Sequence, residues 1–258
     1  MHNYEEEVVY REIDRPKKKR KKKKYFLRFL VTILIIGGVI GFSFSDFFLI
    51  ESVTAEGNHY YSDEEVMNMA GAELDVNLFW DTDASELESM LLQNPYFAEV
   101  KVKRKLPGTL HFEIKERSQI AAMIYGEDYI VIDKEGTILR KTDVDPKLTL
   151  LTGLTVSKLE TGSRIEAEEG ATLETTLYML DTMEDGDIFF KKIDVSKVII
   201  RAYIYDTLIV KGTPKQMTKA IESGDLQKVV NNLLKNETTR GTISLGNQNY
   251  MSFSPEFS

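Results

Sequence analysis

Beyond the N-terminal tail the chain has two histidines, His59 and His111, and neither has a second histidine or a glutamate at the i, i+4 spacing that puts two metal ligands on one helix face. His111 alternates with apolar residues in a strand-like run, which places it on a solvated face, and His59 lies in a turn; both read as structural. An acid/base pair needs two carboxylates held across a cleft, and no pair stands out. Glu64-Glu65, Glu168-Glu169 and Asp185 with Asp187 read as helix caps and solvated faces. The chain has no cysteine, which excludes thiolate nucleophiles, disulfides and cysteine metal sites. It also lacks G-x-S-x-G, S-x-x-K and G-x-x-x-x-G-K-[ST]. No catalytic residue, cofactor, metal or small-molecule substrate is therefore expected. Trp80, the lone tryptophan, reads as core between two helices.

What the spacing does specify is a membrane segment. Ten of the fourteen residues 15–28 are Lys or Arg, and residues 29–45 carry no charge. A membrane-crossing helix needs roughly 20 apolar residues. Residues 25–45 supply 21, with Arg28 near enough to the end to snorkel. Basic residues stay on the cytoplasmic side, so the N-terminus is expected inside and residues 46–258 outside. A cleaved signal is the alternative, with 29–42 as its apolar core and Ser43-Phe44-Ser45 as the cut. Against it, 24 largely polar residues precede the core and Phe47, Phe48, Leu49 and Ile50 continue it, so an uncleaved anchor is expected. Gly37 and Gly41 form a G-x-x-x-G pattern that allows close approach of a second helix.

The net charge of −8 is unevenly spread. Residues 1–24 hold ten basic and five acidic groups, whereas the chain beyond Arg28 holds 22 basic and 36 acidic. So acidic an outer portion does not suit nucleic acid, whose phosphates need a basic surface. Its length of about 210 residues fits two domains.

In chain order, residues 49–55 read as a strand and Glu56-Gly57-Asn58 as a turn. Ser62 and Glu65 form a capping box that opens a short helix ending at Gly71. Asp83 opens a second helix, with Leu87, Met90 and Leu91 on one face and Pro95 beyond its end. Residues 96–103 and 109–115 alternate as strands around Leu106-Pro107-Gly108, with Leu110, Phe112 and Ile114 on one face. Two helices packed on one face of a three-stranded sheet bury both stripes. Further on, 119–125, 129–132, 148–152, 188–195, 198–204 and 207–210 are β-rich. Residues 169–184 form an amphipathic helix, and Thr213-Pro214 starts a long one interrupted or kinked at Gly224-Asp225. Residues 242–245 and 250–253 are two short strands joined through Gly246-Asn247-Gln248-Asn249.

Ile50-Glu51-Ser52-Val53 with Gly57-Asn58, Asn94-Pro95-Tyr96, Val102-Lys103-Arg104-Lys105-Leu106-Pro107 and Ile114-Lys115-Glu116-Arg117 together resemble a POTRA domain of the FtsQ/DivIB family of bacterial cell-division proteins. Residues 130–139 resemble that family's D-x-x-G-x-x-L strand-turn-strand, here Asp133, Gly136 and Leu139. At the closing segment Ser244 and Gly246 stand where the family carries charged residues. The resemblance implies an α+β chain: a cytoplasmic basic tail (1–24), one transmembrane helix (25–45), a β-α-α-β-β POTRA domain (46–115), a mixed β-sheet domain with flanking helices (116–253) and a tail (254–258).

The function so implied is that of a non-enzymatic divisome scaffold at the division septum. Its expected partners are FtsL-like and DivIC/FtsB-like bitopic proteins outside the membrane and, through them, the septal peptidoglycan synthase. The physical route is strand addition to an open sheet edge, with Ile243, Ser244, Leu245, Tyr250, Met251, Ser252 and Phe253 as candidate partner-binding residues. The same residues can instead close the sheet and pack inward. A membrane-anchored cell-wall enzyme such as a glycopolymer transferase shares the lysine-then-anchor pattern, but it needs clustered Arg and Asp around a lipid phosphate, and the outer basic residues are scattered. A wall-binding surface module is a third reading, disfavoured by the acidic loops.

Overall fold

The computed structural model describes residues 20–183, 188–246 and 250–256. The acidic tail, the basic block up to Lys19, Glu184, the Asp185 and Asp187 pair and Asn247-Gln248-Asn249 lie outside the described residues. Helix α1 (Arg20–Ser43) contains an apolar span, Lys24–Ser43, none of which is buried against the rest of the chain. At about 1.5 Å per residue those 20 residues cover about 30 Å, the thickness of a bilayer's hydrocarbon. Helical bonding thus reaches back into the basic block and stops two residues before the expected end. Ser45 is already extended, and Asp46–Phe48 form one 3-10 turn.

The first unit beyond α1 follows as β1 (Ser52–Glu56), α2 (Asp63–Ala70), α3 (Ala84–Leu91), β2 (Phe97–Lys105) and β3 (Thr109–Glu116). Both helices start where their caps dictate. Ser62 Oγ accepts from Glu65 N while Glu65 returns a bond to Ser62 N, and Asp83 accepts from Ser85 N. Gly71 ends α2 at φ 68°, a left-handed position that suits glycine. The sheet order is β1-β3-β2, with β1 parallel and β2 antiparallel to the central β3. Leu110, Phe112 and Ile114 leave water against Val66, Leu87 and Leu91.

Three side chains depart from expectation. Met90 is exposed, because an eight-residue helix turns only a narrow stripe inward and Leu87 with Leu91 fill it. His111 is buried rather than solvated: β3 is the central strand, so Thr54 and Lys103 flank it on the two neighbouring strands. Thr54 Oγ1 lies 2.8 Å from its Nδ1, and Glu56 lies 3.6 Å from its Nε2. Trp80 is 52% exposed and lies outside the helix pair, stacked on Phe44.

The second unit comprises β4 (Ala121–Tyr125), β5 (Asp128–Ile132), β6 (Ile138–Thr142), β7 (Thr149–Thr152), a small β8 (Val156–Lys158) and β9 (Glu166–Ala167) pair, α4 (Gly170–Asp181), β10 (Lys192–Asp194), β11 (Ile200–Tyr203), β12 (Leu208–Gly212), α5 (Pro214–Glu222), α6 (Asp225–Lys235), β13 (Gly241–Leu245) and β14 (Met251–Pro255). Its main sheet runs β14-β13-β12-β11-β10-β7-β4-β5-β6 among the described residues. Leu173, Leu177, Met217 and Ile221 from the helices share one core with Ile193, Val210 and Ile243. The long helix expected after Pro214 is two helices. Gly224, at φ 68°, turns the chain between them, so both apolar stripes reach the same sheet face.

Candidate partner interface

The last two strands carry the candidate binding residues except Tyr250, which immediately precedes β14. β13 pairs with β12 on one side, in parallel, and with β14 on the other, antiparallel; β14 has a partner on one side only among the described residues. Ile243 and Ser244 therefore have no open main-chain edge, while Leu245 pairs with Met251 one residue beyond the last β12 register position. Ile243 is buried between Val210 and Phe253, and Phe253 rests its ring over Gly241. A Cβ at Gly241 would come within 2.6 Å of Phe253 Cζ, and φ there is 136°, so glycine is what lets the ring settle. Tyr250, by contrast, is 68% exposed. The two rings expected to act together are separated: one packs inward and one stands in solvent.

Antiparallel pairs alternate between bonded and non-bonded positions. Gly246 N donates to Tyr250 O at 2.7 Å, which makes that pair a bonded one. In register, Ser244 with Ser252 and Thr242 with Ser254 are then bonded too. Met251 and Phe253 fall at the alternate positions, so their N–H and C=O groups point away from β13, toward the open edge. Pro255 occupies the next outward position, where its missing N–H costs the β13 ladder nothing. Chemically, this edge can accept an extended backbone and little else.

Among the described residues no group of three or more His, Asp or Glu is placed to hold a metal ion. Among the described residues Asp133 is the buried acid, with its side chain 3% exposed, and both its oxygens are occupied. Oδ1 accepts from Glu135 N and Thr137 N, closing the turn between β5 and β6, and Oδ2 accepts from Arg117 Nη1 at 2.6 Å. Arg117 also donates to Glu135 at 2.7 Å, and its backbone N donates to Tyr96 O in the first unit. Burial works against the Arg117 charge, yet its bonds to Glu135 and Asp133 hold its pKa above the ordinary value. The Arg117 hydrogen bond and then its charge hold Glu135 below the usual carboxylate range, while burial pushes Tyr96 up.

This is a structural clasp at the junction of the two units, and the sequence showed it only as a D-x-x-G turn. Asp133→Ala leaves the Thr137 N–H and the guanidinium short of a partner. It is expected to cost about 2 to 4 kcal/mol in urea unfolding, with Asp133→Asn costing less. An unchanged midpoint for the alanine variant would contradict the clasp. Because the Glu135 pKa is lowered, its contribution is present above the ordinary carboxylate range and lost as pH falls through the lowered value. Glu135 is largely exposed, so that acid loss is the smaller effect.

Against this geometry, the family model for the FtsQ-type POTRA domain matches residues 48–117, the span that holds the first unit's whole core. The cell division protein DivIB of Clostridium botulinum (strain Loch Maree / Type A3) is 28% identical over 182 residues, covering 69% of this chain and 71% of that protein. The chain resembles the FtsQ/DivIB family. Cell division protein DivIB of Clostridium acetobutylicum is 25% identical over 171 residues, covering 65% of this chain and 68% of that one. Among solved structures, the major extracytoplasmic domain of DivIB from Geobacillus stearothermophilus aligns at 15% identity with a TM-score of 0.29, over 42% of this chain and 87% of that one. The 171- and 182-residue alignments with the two DivIB proteins are longer than the POTRA span, and among the described residues α1 is one helix long and apolar enough to cross a membrane.

Proposed function

We propose that the chain is a non-enzymatic, single-pass scaffold of the division machinery that captures an extended segment of a partner along β14. The relatives named cell division proteins support a division-related role. The single observation that carries the binding mode is the one-sided pairing of β14, with Met251 and Phe253 directing main-chain groups outward and Tyr250 exposed beside them. Ile243, Ser244 and Leu245 serve as the strand that holds β14 in register, and Ser252 is its bonded contact to Ser244. The partners are FtsL-like and DivIC/FtsB-like bitopic proteins, and through them the septal peptidoglycan synthase is supported or regulated at the septum. Residues 46–115 and 116–253 act as the two outer domains. Gly37 and Gly41, with open space where a side chain would sit, leave one face of α1 free for a neighbouring helix.

Purification of the tagged chain from detergent-solubilised membranes should bring down those partners, and recovery of none of them would sink the reading. The basic block sets the orientation, with the N-terminus inside. Protease added to intact protoplasts should remove the residues beyond 46 and spare an N-terminal tag. A mature chain beginning near Asp46 would instead mean a cleaved signal.

A further inference from the structure

The end of α1 and a loop of the POTRA unit are joined more tightly than a linker requires. Trp80 Nε1 donates to Ser43 Oγ at 2.9 Å, and Asn77 Nδ2 donates to Ser43 O at 3.0 Å. Asn77 is buried and also orders its own loop, its Oδ1 accepting from Phe79 N and Trp80 N. Two main-chain bonds, Leu78 N to Phe48 O and Ile50 N to Val76 O, clamp the same loop to the segment leaving the helix. Arg104 backs it from behind, donating to Leu78 O and Thr82 O. The Phe44 and Trp80 rings stack at 4.5 Å and 7°, and Phe79 meets Phe48 edge-on at 5.2 Å. Held this firmly, Phe44, Phe47 and Trp80 still stay more than half exposed, and Phe79 is 40% exposed.

We propose that Phe44, Phe47, Phe79 and Trp80 form a foot lying in the outer headgroup and acyl boundary of the membrane, fixing the POTRA unit against the lipid surface. Their height follows from α1 and rests on reading that helix as a membrane span. Ser43 closes the 20-residue apolar span, so the hydrocarbon ends beside it, and the rings bonded or stacked there fall at the level where aromatic side chains concentrate. The occupant is lipid rather than a charged partner. Residues 44–82 contain no Lys or Arg, the Arg104 guanidinium is engaged by the Leu78 and Thr82 carbonyls, and Asp46, Asp75 and Asp81 flank the rings, so contact comes from ring burial and not from attraction to anionic headgroups. The domain above the membrane is then held at one height and tilt instead of swinging on a tether.

Trp80 is the single tryptophan, so the full chain reports on itself. Reconstituted at one chain per phosphatidylcholine nanodisc, it should lose most of its tryptophan emission when the lipid is replaced by 6,7-dibrominated phosphatidylcholine, at low and high salt alike. Leu34→Trp in a Trp80→Phe background tests the span, and Tyr178→Trp in the same background, on the exposed face of α4, should keep its emission. If the Leu34 reporter is quenched while Trp80 is not and acrylamide reaches it, the foot is overturned and the span stands. If the Leu34 reporter is not quenched, the span itself fails. Trp80 shielded from both quenchers would place protein over the rings and overturn the lipid contact, as would quenching that disappears at high salt.

Discussion

Leu110→Asp is expected to unfold the POTRA unit while leaving the β domain folded. Leu110 is fully buried on the central strand, facing the helix stripe of Leu87 and Leu91. Removing a buried leucine costs about 2 to 5 kcal/mol. Placing a carboxylate there adds several more, because nothing in that core can accept or pair it. The sum approaches the whole stability of about 5 to 15 kcal/mol typical of a domain. Thermal melting of residues 46–258, followed by circular dichroism, should lose one transition and keep the other. Thr109→Asp, one residue away on the opposite face and half-buried, should shift the midpoint only slightly. If Leu110→Asp retains both transitions near their original midpoints, the core is not where the structure puts it.

The POTRA core was legible because its signals are local. A capping box at Ser62 and Glu65, a cap at Asp83 and the strict alternation of 109–115 each act within a few residues, and each has its expected partner in the structure. What the sequence hid depends on neighbours far along the chain. His111 looked solvated by periodicity, but a strand flanked on both sides covers even its polar face. Trp80 looked like core by residue type, yet its indole bonds Ser43, 37 residues away. The parallel pairings of β1 with β3 and β12 with β13 leave no sequence mark, since period-two alternation does not encode direction. For the same reason the terminal run read as one two-stranded edge, whereas β13 lies between β12 and β14 and, of the two, β14 has the open side among the described residues.

That distinction decides which substitution tests partner capture. At Ser252 a proline would remove a bond to Ser244 and loosen the sheet itself, so lost binding would say nothing about the edge. At Met251 the N–H points outward, and proline removes a donor that β13 never uses. Each main-chain hydrogen bond is worth about 0.5 to 1.5 kcal/mol net. Fixing φ and presenting a ring to the incoming strand adds to that, so Met251→Pro should weaken capture by at least about tenfold. Met251→Ala keeps the donor and, since the side chain is only partly packed, should stay within about twofold. Tyr250→Ala, which removes an exposed ring, should cost about 1 to 3 kcal/mol of binding if that ring meets the partner. Phe253→Ala should lower stability instead, because its ring covers Gly241.

The most direct measurement is the affinity of the detergent-solubilised chain for the outer segment of the partner recovered with it, compared between Met251→Pro and Met251→Ala at matched thermal midpoints. Capture along β14 predicts that the proline variant binds at least about tenfold more weakly than the alanine variant. Equal affinity of the two folded variants would contradict it.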